Sequence, residues 1–354
     1  MTRVLLYEFA CSGGLWSTAE LPISDSILSE GRAMLLALAA DFAAQPDVTV
    51  QVLRDRRVSL PLPPNVQQLE VPSAAADADR LATHAATADW TVVIAPEFDE
   101  LLRKRSRTVE QAGGRLLGPD SALITQAGDK QRTADLLAER GIPCPAGFSI
   151  FWPNELAQHS LTGPVVVKPR FGAGSQQMRL LRSPDDLRYL ADPPWQPQQS
   201  LRIESFIPGT ACSVAFLCGP AGNWPLPPCR QRLSEAGDFA YFGGSLPLPP
   251  DLSRRALELA TRAVSALPFT YGYIGVDLVL SDNPQLVPDC VIEINPRLTT
   301  SYIGLRRALR ENLAGLMLQV AAGKKPDLTM RPNSVEFDSD GDVRCQGNES
   351  PPAA

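Results

Sequence analysis

Two short stretches carry residue types and spacings that could do chemistry. In Gly163-Pro-Val-Val-Val-Lys168-Pro-Arg-Phe-Gly172-Ala-Gly174-Ser175-Gln176, an apolar strand delivers Lys168 and then breaks into a loop of small residues. Gly172, Gly174 and Ser175 let backbone N–H groups approach an anion closely, and Lys168 adds a point charge beside them. An ordinary strand-to-loop turn with a solvated lysine is the alternative. Taken alone that alternative prevails, because the loop matches neither G-x-x-x-x-G-K-[ST] nor a full G-x-G-x-x-G. In the second stretch, Gly275-Val-Asp277-Leu-Val-Leu is followed by Val291-Ile-Glu293-Ile-Asn295-Pro-Arg297. Side chains alternate along a strand, so Glu293 and Asn295 share a face, and Asp277 lies opposite them if the two strands pair. Three converging oxygen donors suit Mg²⁺, which prefers hard ligands and phosphate oxygens. An exposed polar sheet face is the rival reading. It is disfavoured because Val276, Leu278, Ile292 and Ile294 would bury the opposite face and leave charges beside a core, where they need partners.

The elements that must hold these residues are legible in outline. Val4–Phe9, Val48–Leu53 and Trp90–Ala95 are apolar runs of strand length. They alternate with helical patterns over Ser26–Ala44 and Ala74–Ala86, which predicts a parallel sheet covered on both faces. Residues 1–118 are therefore read as an α/β, Rossmann-like domain. Beyond it, Val165–Lys168, Ser213–Cys218, Gly275–Leu280 and Val291–Ile294 read as strands in hairpin-like groups. A helix over Leu252–Leu267 starts at Pro249-Pro250 and stops at Pro268. This grouping predicts an α+β domain over 119–330, with a smaller lobe over about 135–205. From 331 to 354 no apolar periodicity is evident, and a flexible C-terminal tail is expected.

Composition narrows the function classes. The 354 residues include 33 Lys+Arg against 39 Asp+Glu, a net charge of −6, which disfavours nucleic acid or an anionic membrane as the main partner. No run of about 18 apolar residues is present, and the N-terminus reads as a strand rather than a signal peptide. The 7 cysteines are scattered without a C-x-x-C pair, and only 2 histidines occur. Neither a disulfide framework nor a zinc site follows, and a reducing cytoplasm is the expected setting. Cys11, in Ala10-Cys11-Ser12-Gly13-Gly14, has no histidine near it in sequence and reads as a small residue lining a loop. Ser12-Gly13-Gly14 also lacks the spacing of a dinucleotide site, which speaks against an oxidoreductase.

The order Lys130, Lys168 with its loop, Ile203-Glu204-Ser-Phe206-Ile207-Pro-Gly209, Asp277 and Glu293-Ile-Asn295-Pro-Arg297 resembles the ATP-grasp superfamily of carboxylate–amine ligases, over roughly 119–320. The preceding domain matches the pre-ATP-grasp domain of those enzymes. The resemblance implies that Lys130 and Lys168 hold ATP phosphates and that Glu204, Phe206 and Ile207 meet adenine. It further implies that Asp277, Glu293 and Asn295 bind Mg²⁺ or Mn²⁺, with Arg297 and Lys168 neutralising charge during reaction. Many members carry an acidic ribose-binding residue two positions after the glycine of the adenine segment, where this chain has Ala211. Tyr7-Glu8-Phe-Ala-Cys-Ser-Gly-Gly14, Glu30-Gly-Arg-Ala-Met34, Ala95-Pro-Glu97 and Thr299-Thr-Ser-Tyr-Ile-Gly-Leu305 resemble the branch that joins amines such as tyramine to glutamate in one-carbon cofactor biosynthesis. Partners implied are small-molecule carboxylates and amines, and the sequence admits a homodimer without specifying one. A non-catalytic ATP-binding regulatory module stands as the alternative.

Overall fold

The computed structural model describes residues 1–16, 25–151, 163–172, 177–183, 186 and 200–347. The first domain runs β1 (Thr2–Glu8), α1 (Asp25–Ala43), β2 (Val48–Asp55), β3 (Val66–Val71), α2 (Ala74–Ala85), β4 (Trp90–Ile94) and α3 (Leu101–Gln111). Its four strands form a parallel sheet in the order β3-β2-β1-β4. The continuous apolar run of β1 is explained by its two buried faces. Val4 and Leu6 pack with α1 residues Leu35 and Leu38, whereas Leu5 and Tyr7 pack with Leu81 of α2 and Leu102 of α3. Strand β3 has no continuous apolar run because it is an edge strand, with Gln67, Gln68 and Glu70 facing outward between buried Val66 and Val71.

Two short helices follow, α4 (Ser121–Ala127) and α5 (Lys130–Glu139), each capped by an aspartate. A small antiparallel sheet is then built from β5 (Gly147–Phe151), β6 (Val165–Pro169), β7 (Arg179–Leu181) and β8 (Ser200–Ser205), ordered β5-β8-β6-β7. Val165 and Val167 point into its core with Ile150, Leu201 and Ile203. The pleat therefore turns Val166 and Lys168 to the opposite face.

The third sheet has eight strands: β9 (Gly209–Gly219), β10 (Gly222–Pro225), β11 (Cys229–Leu233), β12 (Tyr241–Leu246), β13 (Gly272–Ser281), β14 (Cys290–Asn295), β15 (Ser334–Asp338) and β16 (Val343–Gln346). Helix α6 (Pro250–Ser265) covers one face, against Val214, Phe216, Ile274, Val276 and Leu278. Helices α7 (Ser301–Ala308) and α8 (Leu313–Ala321) cover the other, against Ala215, Leu217 and Tyr273. Val93, Val166 and Val276 thus lie in three separate sheets, as a two-lobed domain behind a separate first domain requires.

One expectation about the chain's end needs correction, and one packing feature crosses the domain boundary. Residues 331–354 are not all tail: β15 pairs with β12, and Val335 and Phe337 are 1% exposed. The alternation Val335-Glu-Phe337 was too short to register as a period. The first domain also has no private core on its α1 side. One apolar cluster runs from Val4 and Leu35 to Tyr302, Met317 and Phe337. Within that contact Asp41 of α1 accepts hydrogen bonds from Tyr302 (2.7 Å) and the Arg306 Nε of α7 (2.8 Å).

Candidate active site

Strands β13 and β14 pair antiparallel with Asp277 directly opposite Glu293. Asn295 sits two residues on, and its Nδ2 donates to Asp277 Oδ2 at 2.9 Å, while Gln231 Nε2 donates to Oδ1 at 2.8 Å. Burial, and then the facing Glu293, push the Asp277 carboxyl up to about 6. A divalent cation would relieve that strain, and the donor set is all oxygen, so the three residues fit Mg²⁺ or Mn²⁺. One neighbour departs from expectation. The register slips after Asp277, so that Leu278 faces Val291 and Ile292 is the extra residue of a β-bulge. Ile292 consequently leaves the buried face and lines the cleft.

Lys168 crosses from the small lobe to this bulge. It is 1% exposed, lies 2.5 Å from Glu204 Oε1, and directs its Nζ toward the Ile292 carbonyl at 3.5 Å. The second oxygen of Glu204 accepts from Arg202 Nε at 2.9 Å. The Glu204 carboxylate is therefore held by two cations, a bond set that the spacing of Lys168 and Glu204 did not disclose. Lys130, at the start of α5, pairs with Glu293 Oε1 at 2.9 Å and donates to the Gly172 carbonyl at 2.7 Å. Its position is fixed by Asp129, whose carboxylate caps α5 and receives two bonds of 2.7 Å from Arg170. Both lysines, the three metal-type ligands and Gly172 thus converge from different elements. Gly174 and Ser175 lie outside the described residues.

The cleft is a cavity of about 460 Å³. One end is walled by Val166, Met178, Phe206, Ile207 and Phe239, an apolar slot of the kind that takes a flat ring. Asp277, Glu293 and Asn295 occupy the middle. The far end is lined by Arg297, Thr299, Thr300, Ser301 and, from the first domain, Glu30. Arg297 is tied to Glu97 by bonds of 2.9 and 3.2 Å. Glu97 follows β4 and Glu8 ends β1, the adjacent strands where the sheet order reverses, so both stand at the crevice where open α/β sheets place their ligands. Glu8 is 2% exposed and accepts the Cys11 N–H at 2.8 Å. Burial pushes the carboxyls of Glu8 and Glu30 up to about 7. It likewise raises the Cys11 thiol, which agrees with a structural rather than a nucleophilic cysteine. Motif spacing drew attention to the segments carrying Glu8, Glu30 and Glu97 but not to their roles. The usable signal was their position just past buried parallel strands or on the helix that follows one.

A nucleotide-sized cleft between an antiparallel small lobe and a large sheet, with two lysines above a carboxylate–amide set, defines a class. The chain belongs to the ATP-grasp superfamily of ligases: an ATP-grasp domain matches residues 127–301 and a pre-ATP-grasp domain matches 48–124. Among its relatives is the tyramine–L-glutamate ligase of Methanocaldococcus fervens, 25% identical over 336 residues, covering 94% of this chain and 98% of that one. The enzyme of the same name from Methanocaldococcus jannaschii is 26% identical over 66% of this chain and 63% of its own length. Solved structures with the same fold include N5-carboxyaminoimidazole synthetase from Staphylococcus aureus complexed with ADP. It has a TM-score of 0.69 and 15% identity, covering 95% of this chain and 82% of that one. Another is L-amino acid ligase from Bacillus licheniformis, with a TM-score of 0.66 and 16% identity, covering 95% and 78%. Among the described residues no helix is long and apolar enough to cross a membrane.

Proposed function

We propose that the protein uses ATP to join a small carboxylic acid to an amine, with glutamate as the acid and tyramine or a similar arylalkylamine as the partner. The observation that carries this reading is the layout of the cleft. An apolar slot stands at one end, oxygen ligands lie between, with Lys130 and Lys168 buried behind the lining carboxylates Glu293 and Glu204, and Arg297 with Glu30 faces the other end. The names of the relatives support the choice of glutamate and tyramine.

In this reading the slot around Phe206 and Ile207 takes adenine, and Ala211 leaves ribose to be held by other groups. Lys130 and Lys168 turn from their glutamates to the phosphate oxygens, so the ion pairs seen here exchange partners when nucleotide enters. Asp277, Glu293 and Asn295 would hold Mg²⁺, which would supply charge neutralisation at the transferring phosphoryl group. Arg297, held in place by Glu97, presents positive charge where the substrate carboxylate attacks the γ-phosphorus. That step forms a C–O–P bond and releases ADP. The amine nitrogen then attacks the acyl carbon, the C–O bond to phosphate breaks, and an amide results. The residues act mainly by neutralising and aligning two anions, so no side-chain nucleophile is required.

The test is ADP release over a panel of acid and amine pairs that includes L-glutamate and tyramine. ADP formed in proportion to amide, and only with both partners, is the expected result. An ATP-induced rise in melting temperature with no ADP from any pair would leave a non-catalytic nucleotide-binding module as the better description.

A further inference from the structure

Resting on the ligase reading above, we propose that Glu30 is the residue that binds the incoming amine and takes its proton. Glu30 comes from α1 of the first domain, yet it lines the same cavity as Asp277 and Glu293 of the large sheet. It is half-buried, and the neutral Thr300 side chain lines the cavity beside it. The nearby cation, Arg297, is committed to Glu97 through two bonds. A carboxylate in such a place lacks a full counter-charge, and a half-desolvated anion without one is costly. An alkylammonium group entering from the open side supplies the missing charge.

The surroundings reinforce this assignment. Immediately beneath Glu30, α1 runs against the Glu8 carboxylate so closely that a Cβ on Gly31 would collide with it. Only glycine permits that approach, and it sets the position of the first turns of α1. Glu8 and Glu30 both have carboxyls raised toward neutrality by burial, so Glu30 is suited to accept a proton near pH 7 and release it afterwards.

The step balances as follows. The ammonium gives one proton to the Glu30 carboxylate and becomes a neutral amine. Its lone pair attacks the acyl-phosphate carbon, the C–N bond forms, and the C–O bond to phosphate breaks with its electron pair leaving on phosphate. The second nitrogen proton departs with the phosphate, and Glu30 returns its proton to solvent as product leaves.

Hydroxylamine separates this role from a structural one, because it is largely neutral at pH 7 and needs no base to trap an acyl phosphate. L-Glutamate and ATP would be supplied with either tyramine or hydroxylamine, or with whichever acid and amine the ADP panel returns. In Glu30→Gln, amide formation should fall about a hundredfold or more while hydroxamate formation stays within a few fold of wild type. Glu30→Asp should recover part of the amide rate, and the ATP-induced melting shift should be unchanged in both. Amide and hydroxamate falling together in Glu30→Gln, or an amide rate that stays near wild type, would overturn the proposal. Wild-type protein that forms neither product with any pair would instead overturn the ligase reading on which it rests. Should Glu30→Gln fail to fold, loss of hydroxamate formation in a folded Glu30→Asp would count equally against it.

Discussion

The two ends of the cavity treat their carboxylates differently. Toward the small lobe, Glu204 is held by Lys168 and Arg202. Toward the first domain, Glu30 lines the cavity beside the neutral Thr300, with Glu8 buried behind it on a backbone N–H, and burial raises both carboxyls to about 7. The first arrangement stores cations in ion pairs that an incoming polyanion can take over. In the second, the nearby Arg297 is committed to Glu97, and the proposal for Glu30 rests on that shortage of positive charge. Under the proposed function, one cavity would distinguish a nucleotide from an amine by the sign of the charge each end lacks.

The largest effect should come from the middle of the cavity, which both ends share. Asp277→Asn or Glu293→Gln should lower Mg²⁺-dependent turnover by several kcal/mol, on the order of a thousandfold, with the fold intact by circular dichroism. Wild-type turnover in either variant would make the cluster structural. At the lysine end, Lys168→Ala should cost about 3 kcal/mol of transition-state stabilisation, roughly a hundredfold in ADP release. Because Lys168 is buried against Glu204, stability should fall as well, by on the order of 3 kcal/mol. Adding Glu204→Gln should return part of the stability but none of the rate, which separates the ion pair from the phosphate role.

At the carboxylate end the comparison turns on pH. The folded state raises Glu8 from 4.5 to about 7, so the native form binds the proton more tightly than the unfolded chain. Stability from this group is complete below about pH 4.5, falls as pH rises toward 7 and is level above. The loss is at most on the order of 3 kcal/mol. Glu8→Gln should therefore gain stability relative to wild type between pH 5 and 8 in thermal melts. A constant difference would show that Glu8 titrates normally. The smallest effect is expected for Gly31→Ala, which crowds the Glu8 carboxylate and should cost about 1–2 kcal/mol while leaving nucleotide binding unchanged. Weakened ATP binding in this variant would blur the division between the two ends.

The contrast between the ends is also a contrast in legibility. Lys168 stood out only through the order of motifs, whereas Asp277, Glu293 and Asn295 announce themselves because strand alternation is a local rule, and the structure gathers them around one cleft. The parallel sheet was readable for the same reason, since β1 and β4 are continuous apolar runs. The bulge at Ile292 was not, because pairing register depends on the partner strand and leaves no mark in either sequence alone. Glu30 and Glu97 sit beside Thr300 and Arg297 only through packing between segments some 200 residues or more apart. Residues 334–346 were read as tail because two short strands carry too few apolar positions to show a period.

The Asp41 junction has a consequence for recombination and engineering. Asp41 on α1 serves Tyr302 and Arg306 on α7, and the two helices share one apolar cluster. Exchanging the first domain for that of another superfamily member, with a join near residue 118, would strand Arg306 beside an unmatched surface. The unit that can be transplanted is instead discontinuous: residues of α1 and α7 must travel together. Chimeras that respect this seam keep Glu30 and Thr300 on the wall of one cavity, so the role proposed for Glu30 would travel with the two helices.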